Sequence, residues 1–156
     1  MLEEAAKLSD TGKLSYRLGQ VLLADERNAD AEKALSAALQ KGGLNEDERS
    51  NAYMLLGTAR FNQAGPGDRD QRQIADEAFA AAERFAGTRA QAAGWRNYIK
   101  AINDTESRQA ALEAEQAEML AEAARERELT NCRSMQIAGR TLTDECRTLL
   151  EETDVN

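Results

Sequence analysis

The 156-residue chain contains no histidine. The remaining side chains that could carry chemistry are two cysteines and several pairs of adjacent acidic residues. Without histidine there is no Cys–His or Ser–His pair to activate a nucleophile. Two cysteines alone are too few for a zinc site. The acid pairs, such as Glu3-Glu4, Asp47-Glu48 and Glu151-Glu152, lie in polar segments, where solvated charge is the simpler interpretation. The sequence therefore predicts a protein that is not an enzyme, with no catalytic residue, metal or cofactor.

Cys132 and Cys146 are placed to face each other across a helical hairpin. Gly139 lies seven residues from each of them. The run Thr141-Leu-Thr-Asp144 resembles a capping box that restarts a helix after the turn. A hairpin turning near Gly139 would bring the two sulfur atoms together, so we predict a disulfide. The alternative is two reduced thiols on separate helical faces. A lasting disulfide would indicate an oxidising compartment.

The composition predicts an all-α protein. One proline, 4% aromatic residues and many Ala, Glu, Leu and Arg favour helix almost throughout. The net charge of −8 argues against nucleic acid as a partner, because nucleic acid needs a clustered basic face. No apolar run approaches the roughly 20 residues of a membrane span. The first residues lack a signal-peptide pattern, so we expect either a cytosolic protein or an excised fragment.

Two helical hairpins are predicted between residues 13 and 85. In each, a Leu-Gly step lies in the apolar face of the first helix, at Leu18-Gly19 and Leu56-Gly57, 38 residues apart. The second helices carry apolar residues spaced four and then three apart: Ala31, Leu35 and Ala38, then Ala75, Phe79 and Ala82. Glycine inside a helix costs roughly 1 kcal/mol against alanine, so these glycines indicate close helix packing. The spacing is near the roughly 34-residue period of helix-turn-helix repeats.

These residues resemble the tetratricopeptide repeat (TPR). The small residues Gly19, Ala31 and Ala38, with leucines between them, follow the family pattern, and the second copy fits from Tyr53 to Ala82. The chain departs from the family at Arg60, where an aromatic residue is favoured, and by extra residues around Pro66. Ser9 and Gly43 stand where the family often has proline.

The resemblance implies a TPR-like helical-hairpin solenoid over residues 1–102. It would comprise about two full repeats, a partial first helix at residues 1–9 whose earlier part is missing, and a capping helix at residues 88–102. Such a cap is needed because each repeat buries its apolar face only against its neighbours. Trp95 and Tyr98 would then cover the last apolar face, and we prefer this packing role for them, and for Tyr53, over ligand stacking.

If the family geometry holds, the inner face of the first helices binds a protein or peptide. The residues placed there are Lys13, Tyr16, Gln20, Asn51, Met54, Thr58 and Asn62. This set is rich in amides, with one lysine and two adaptable apolar groups, so it suits an extended peptide or a helix. We therefore expect a non-catalytic protein-binding scaffold with no small-molecule substrate. For each residue taken alone, plain solvent exposure is the alternative.

Three short runs, at residues 5–12, 39–44 and 95–99, are similar to the C-terminal repeats of proteobacterial periplasmic TPR proteins associated with TonB-type systems. This similarity implies part of a larger periplasmic protein that works with an envelope energy-transduction or transport complex. The cytoplasm is the alternative location.

Residues 103–156 are predicted to form a separate helical extension, an Ala/Glu-rich helix followed by the cysteine hairpin. Five alanines along the helix are separated alternately by four and three residues, which is a heptad-like seam. They are Ala110, Ala114, Ala117, Ala121 and Ala124. The helix could pack on the repeats or on a second chain, or remain mostly solvated. The alternative function is accordingly a structural spacer that forms homo-oligomers through this helix and has no peptide-binding groove.

Overall fold

The computed structural model describes residues 1–8 and 11–155, and all of its regular secondary structure is helical. The helices are α1 (Leu2–Leu8), α2 (Gly12–Ala24), α3 (Asn28–Lys41), α4 (Glu46–Gln63), α5 (Arg69–Glu83), α6 (Arg89–Ile137) and α7 (Asp144–Asp154). The all-α prediction is confirmed. Ser9, Asp10 and Asn156 lie outside the described residues. The chain divides into two compact units, Met1–Glu106 and the remainder from Ser107.

Local capping chemistry sets the helix ends in the first unit. Asn45 begins α4 with a capping box, in which the Asn45 side chain accepts from the Glu48 backbone N–H at 2.8 Å and the Glu48 carboxylate accepts from the Asn45 backbone N–H at 2.9 Å. Asp68 begins α5 by accepting from the Gln71 N–H at 3.0 Å. Gly42 and Gly43, with φ of 73° and 74°, follow the end of α3, where glycine is preferred because it adopts positive φ without strain.

The two hairpins, α2 with α3 and α4 with α5, are built around the same close contact. A Cβ placed on Gly19 would lie 2.5 Å from Leu35 Cγ, and one placed on Gly57 would lie 2.6 Å from the Phe79 ring. Leu35 and Phe79 are both fully buried. The six small or apolar residues predicted to line the second helices are all fully buried as well; they are Ala31, Leu35, Ala38, Ala75, Phe79 and Ala82. Each glycine therefore provides the space that the large side chain of the partner helix fills.

Two boundaries differ from the sequence expectation. The expected capping helix at residues 88–102 and the Ala/Glu-rich helix form one continuous helix, α6, because no glycine, proline or turn sequence separates them. The helix after Gly139 is capped by Thr143, whose hydroxyl accepts from the Cys146 N–H at 3.2 Å. The expected capping box starting at Thr141 is therefore wrong by two positions.

The cysteine hairpin has a small core of its own. Cys132 of α6 and Cys146 of α7 lie at disulfide distance, with their Cα atoms 5.4 Å apart. Around them pack a few leucines, namely Leu129, Leu142, Leu149 and Leu150. Gly139 supplies the turn, with φ of 68°. The symmetry of the cysteines about this glycine thus predicts the pairing that the structure has.

Residues 107–128 of α6 are exposed throughout, including the alanine seam. Three large apolar side chains accompany it on the surface, Leu112, Met119 and Leu120. Among the described helices, α6 included, none combines the length and apolar character of a membrane span.

The first prediction concerns the glycine contact. Gly57→Leu should destabilise the protein by about 3 kcal/mol, because overpacking a close contact costs this order of free energy and Trp95 stacks on Phe79 at 5.2 Å. Gly94→Leu is the matched control, since a Cβ there meets nothing within 4 Å. Thermal unfolding followed by circular dichroism measures both. Equal midpoints for the two variants would contradict the packing.

The second prediction concerns the hairpin. In the chain-entropy model, closing a loop of about 15 residues contributes roughly 3 kcal/mol. Replacing both Cys132 and Cys146 with serine should therefore lower amide hydrogen-exchange protection in α7 by about a hundredfold. Ser134→Ala, an exposed change on the same stretch of α6, is the control. Unchanged protection in the double variant would mean that the leucines alone hold the hairpin.

Candidate protein-binding face

The helix α4 lies between α2 and the start of α6 in the unit Met1–Glu106. Asn51 of α4 hydrogen-bonds to Tyr16 of α2 at 2.6 Å. Ten residues further along α4, the Phe61 ring packs on Trp95 and Tyr98 of α6, with ring centroids 5.2 and 5.8 Å apart. The predicted binding residues lie on α2 and α4, and the start of α6 packs against α4 as the next helix.

Tyr16 is the centre of a hydrogen-bond network between α2 and α4. Its hydroxyl oxygen accepts from the side-chain amides of Gln20 at 3.0 Å and Asn51 at 2.6 Å. The residue is only 9% exposed. Because both amides donate to the same oxygen, the hydroxyl proton and the two amide oxygens make no hydrogen bond to any residue that the structure describes. They match the carbonyl acceptors and N–H donors of a peptide backbone.

The other predicted binding residues are spread more widely. Lys13 is exposed, and Thr58 donates to the Met54 carbonyl of its own helix at 3.0 Å. The Asn62 amide donates to Asn28 at the start of α3, at 3.1 Å. Met54 is only 4% exposed and packs in the core with Phe79 and Ala75. Of the seven residues, the structure thus joins Tyr16, Gln20 and Asn51 into one group and places Met54 in the core.

The start of α6 adds a partly exposed aromatic surface, whereas the sequence favours a packing role over ligand stacking for Trp95 and Tyr98. Trp95 does pack as a cap, because its ring lies parallel to Phe79 at a centroid distance of 5.2 Å. Tyr98, by contrast, is 54% exposed. With Gln91 and Gly94 it lines a shallow depression beside Trp95. These residues are spaced three or four apart in the sequence, and this spacing was the signal that could have placed them on one helix face.

A buried arginine holds α6 in this position. Arg72 of α5 is 3% exposed, and its guanidinium donates to Asn103 at 2.8 Å and to the Glu106 carboxylate. Glu106 also accepts from the Gly67 backbone N–H at 3.0 Å. The Gly67 hydrogen bond, followed by the charge of Arg72, lowers the pKa of Glu106 below its usual value. The loop before α5 and the end of the packed part of α6 are therefore joined through one carboxylate.

The charged side chains of this part of α6 lie in a separate polar groove of about 460 Å³. Arg96 pairs there with Glu83 at 2.7 Å and Asp76 at 3.0 Å. The hydrogen bond with Glu83 has the largest effect, followed by the one with Asp76, and together they raise the pKa of Arg96 above its usual value. The depression beside Trp95, in contrast, is lined by neutral residues.

The third prediction follows from the lowered pKa of Glu106. A depressed pKa in the folded state stabilises the fold above the unfolded pKa, near 4.3, and this stabilisation is lost as pH falls through the lower folded value. Glu106→Gln should therefore reduce the thermal midpoint at pH 7 and weaken its dependence on pH below about 4.3. The control is Glu115→Gln, on an exposed part of α6. The same pH profile for both variants would show that Glu106 contributes nothing specific.

Among the described residues, no cluster of three or more cysteine, aspartate or glutamate side chains could hold a metal ion. Comparison with protein families, with curated proteins and with solved structures gives no match for this chain.

Proposed function

We propose that this protein is a non-catalytic protein-binding module with a TPR-like scaffold. The repeated contact of a first-helix glycine with a large second-helix side chain, at Gly19–Leu35 and Gly57–Phe79, supports the repeat assignment. In this arrangement α2 and α4 are the first helices of two repeats, and the start of α6 covers the second. The array presents its first helices to the partner.

The observation that carries the proposal is the Tyr16 network. Gln20 and Asn51 fix the Tyr16 hydroxyl between α2 and α4. A fixed donor with neighbouring amide acceptors can pair with a main chain in either direction without reading its sequence. Side-chain specificity would then come from neighbouring exposed residues such as Lys13 and from the partly exposed Thr58. This combination suits an extended peptide segment of another protein.

We further propose that the module works in the periplasm, as part of a larger protein associated with an envelope energy-transduction or transport complex. The three short runs similar to periplasmic TPR proteins support this setting. The disulfide-distance pair Cys132–Cys146 agrees with an oxidising compartment. The cytoplasm is the competing location, and two alkylatable thiols in protein taken from its native compartment would favour it.

A second candidate function is oligomerisation through α6. The exposed alanine seam is accompanied by Leu112, Met119 and Leu120, which are 54%, 64% and 72% exposed. Alanine at a helix seam permits close approach but buries little area, so the large apolar residues would have to contribute most of the contact energy. This candidate makes the protein a spacer rather than a receptor.

The fourth prediction tests the binding face. Immobilised protein should capture a partner from a native cell-envelope extract, and the double variant Gln20→Ala with Asn51→Ala should reduce capture at least about tenfold, which corresponds to 1.4 kcal/mol. The matched control replaces the same residue types elsewhere, Gln40→Ala with Asn97→Ala, both exposed. Helicity and thermal midpoint should stay unchanged in both. Equal capture by the two double variants would reject this face.

Light scattering on the full chain separates the second candidate from the first. A dimer that Ala117→Glu converts to a monomer, while Ala111→Glu on another side of the helix does not, would favour oligomerisation through the seam. A monomer at all tested concentrations would remove this candidate and leave the binding module.

A further inference from the structure

The unit Met1–Glu106 has an open groove of about 540 Å³ lined by residues of α1, α2 and α3, here named the basic groove. Its floor is apolar and consists of Leu18 and Leu22 of α2 with Ala34 and Ala37 of α3. Leu18 and Ala37 are only half-buried, so part of this apolar surface is open to a partner. Two leucines four residues apart form a ridge beside the small alanines, and such a surface accepts the side chains of a further helix.

Charged residues form the rim of the basic groove, and most of them are positive. Four are basic and two are acidic, namely Lys7, Arg27, Lys33, Lys41, Glu3 and Asp30. This excess of positive charge contrasts with the net charge of −8 of the whole chain. Arg27 pairs with both acids, at 2.8 Å to Asp30 and 3.6 Å to Glu3. Lys7 and Lys33 form no ion pair with any described residue. The complementary partner therefore combines an apolar surface with negative charge.

The exposed part of α6 carries a surface of this kind. Leu112, Glu115, Met119 and Glu122 are separated alternately by three and four residues, so they share one side of the helix, here named the acidic face. Leu112 and Met119 are 54% and 64% exposed. From Leu112 to Glu122 the chain has four glutamates and no basic residue. Every copy of the chain thus contains both an apolar groove with a positive rim and an apolar helix face with negative charge.

The order of residues on the acidic face suits the basic groove. Glu115 lies between Leu112 and Met119, so a helix that places its two apolar side chains on the groove floor also brings carboxylates to Lys7 and Lys33. Burial of the apolar side chains would supply most of the affinity. Exposed ion pairs contribute little each, but complementary charge selects the partner and opposes contact between like surfaces.

We propose that the basic groove of one copy of this protein binds the acidic face of α6 of a second copy. The contact is heterologous, because two different surfaces meet. It lies on the side of α6 away from the alanine seam, since Ala117 and Met119, two residues apart, point about 160° apart around the helix axis. This self-association is therefore distinct from pairing through the seam, and it does not use the Tyr16 network.

The fifth prediction is measured by light scattering on the full chain over a concentration series. The average mass should rise with protein concentration and fall when salt is added, because salt screens exposed charges. Met119→Ser should weaken self-association at least about tenfold, whereas Leu120→Ser, which removes an exposed apolar residue on another side of the helix, should not. Lys33→Glu should weaken it to a similar degree, and Arg133→Glu, the same charge reversal at an exposed position of α6, is its control.

A mixing experiment tests whether the two surfaces bind each other. The Lys33→Glu protein retains its acidic face, and the Met119→Ser protein retains its basic groove. At a concentration where neither variant associates alone, an equimolar mixture should form a heterodimer, because each variant supplies the surface that the other lacks. Circular dichroism should show the same helicity in all variants, so that a loss of association reports on the contact and not on folding.

Several outcomes would overturn the inference. A chain that stays monomeric up to millimolar concentration does not make this contact. Association that Ala117→Glu abolishes and Met119→Ser leaves intact would assign the contact to the alanine seam. Equal effects of Lys33→Glu and Arg133→Glu would exclude the basic groove, and an equimolar mixture that stays monomeric would exclude the pairing of the two surfaces. Partner capture by the Tyr16 network is tested separately and is expected in either case.

Discussion

The close approach of paired helices at two glycines is the constraint on which the first unit depends. At Gly57 a single added methyl group would lie 2.6 Å from the Phe79 ring, so the ring occupies space that any other residue would fill. The Trp95 ring in turn stacks parallel on Phe79. The absence of a side chain in α4 therefore decides where α5 lies and, through Phe79, where the aromatic surface of α6 is presented.

The parts of the fold that follow from local rules could be predicted from the sequence. The 38-residue repetition of Leu-Gly identified the two hairpins, since it depends on steric contacts between neighbouring elements. The cysteine pairing was likewise predictable, because Gly139 fixes the turn and the spacing on either side is equal. In both cases a feature that is local in the sequence determines the geometry, so a single sequence is enough to predict it.

Features that depend on contacts distant in sequence could not be predicted. The sequence around Arg72 does not indicate that this side chain is buried. It also does not indicate that the Arg72 guanidinium donates to the carboxylate of Glu106, 34 residues later. The Tyr16–Asn51 hydrogen bond spans 35 residues, and the family resemblance placed both residues on one face without indicating that they touch. The same limit explains Met54, whose helix position suited the binding face while its side chain was taken into the core beside Phe79. Helix periodicity gives only the approximate direction of a side chain around the helix axis. This is too coarse to separate a side chain on the binding face from one that packs in the core.

The two units illustrate different ways of stabilising helices with few aromatic residues. In the unit Met1–Glu106, buried alanines allow many close contacts, each burying little apolar area, and their sum forms a core. The hairpin of α6 and α7 has only a handful of leucines, and at about 25 cal/mol per Å² such a core scarcely offsets the entropy of ordering two helices. A cross-link acts on the unfolded chain instead and needs no additional core. Its share of the stability is therefore greatest where the apolar core is smallest, which is where the chain has both of its cysteines.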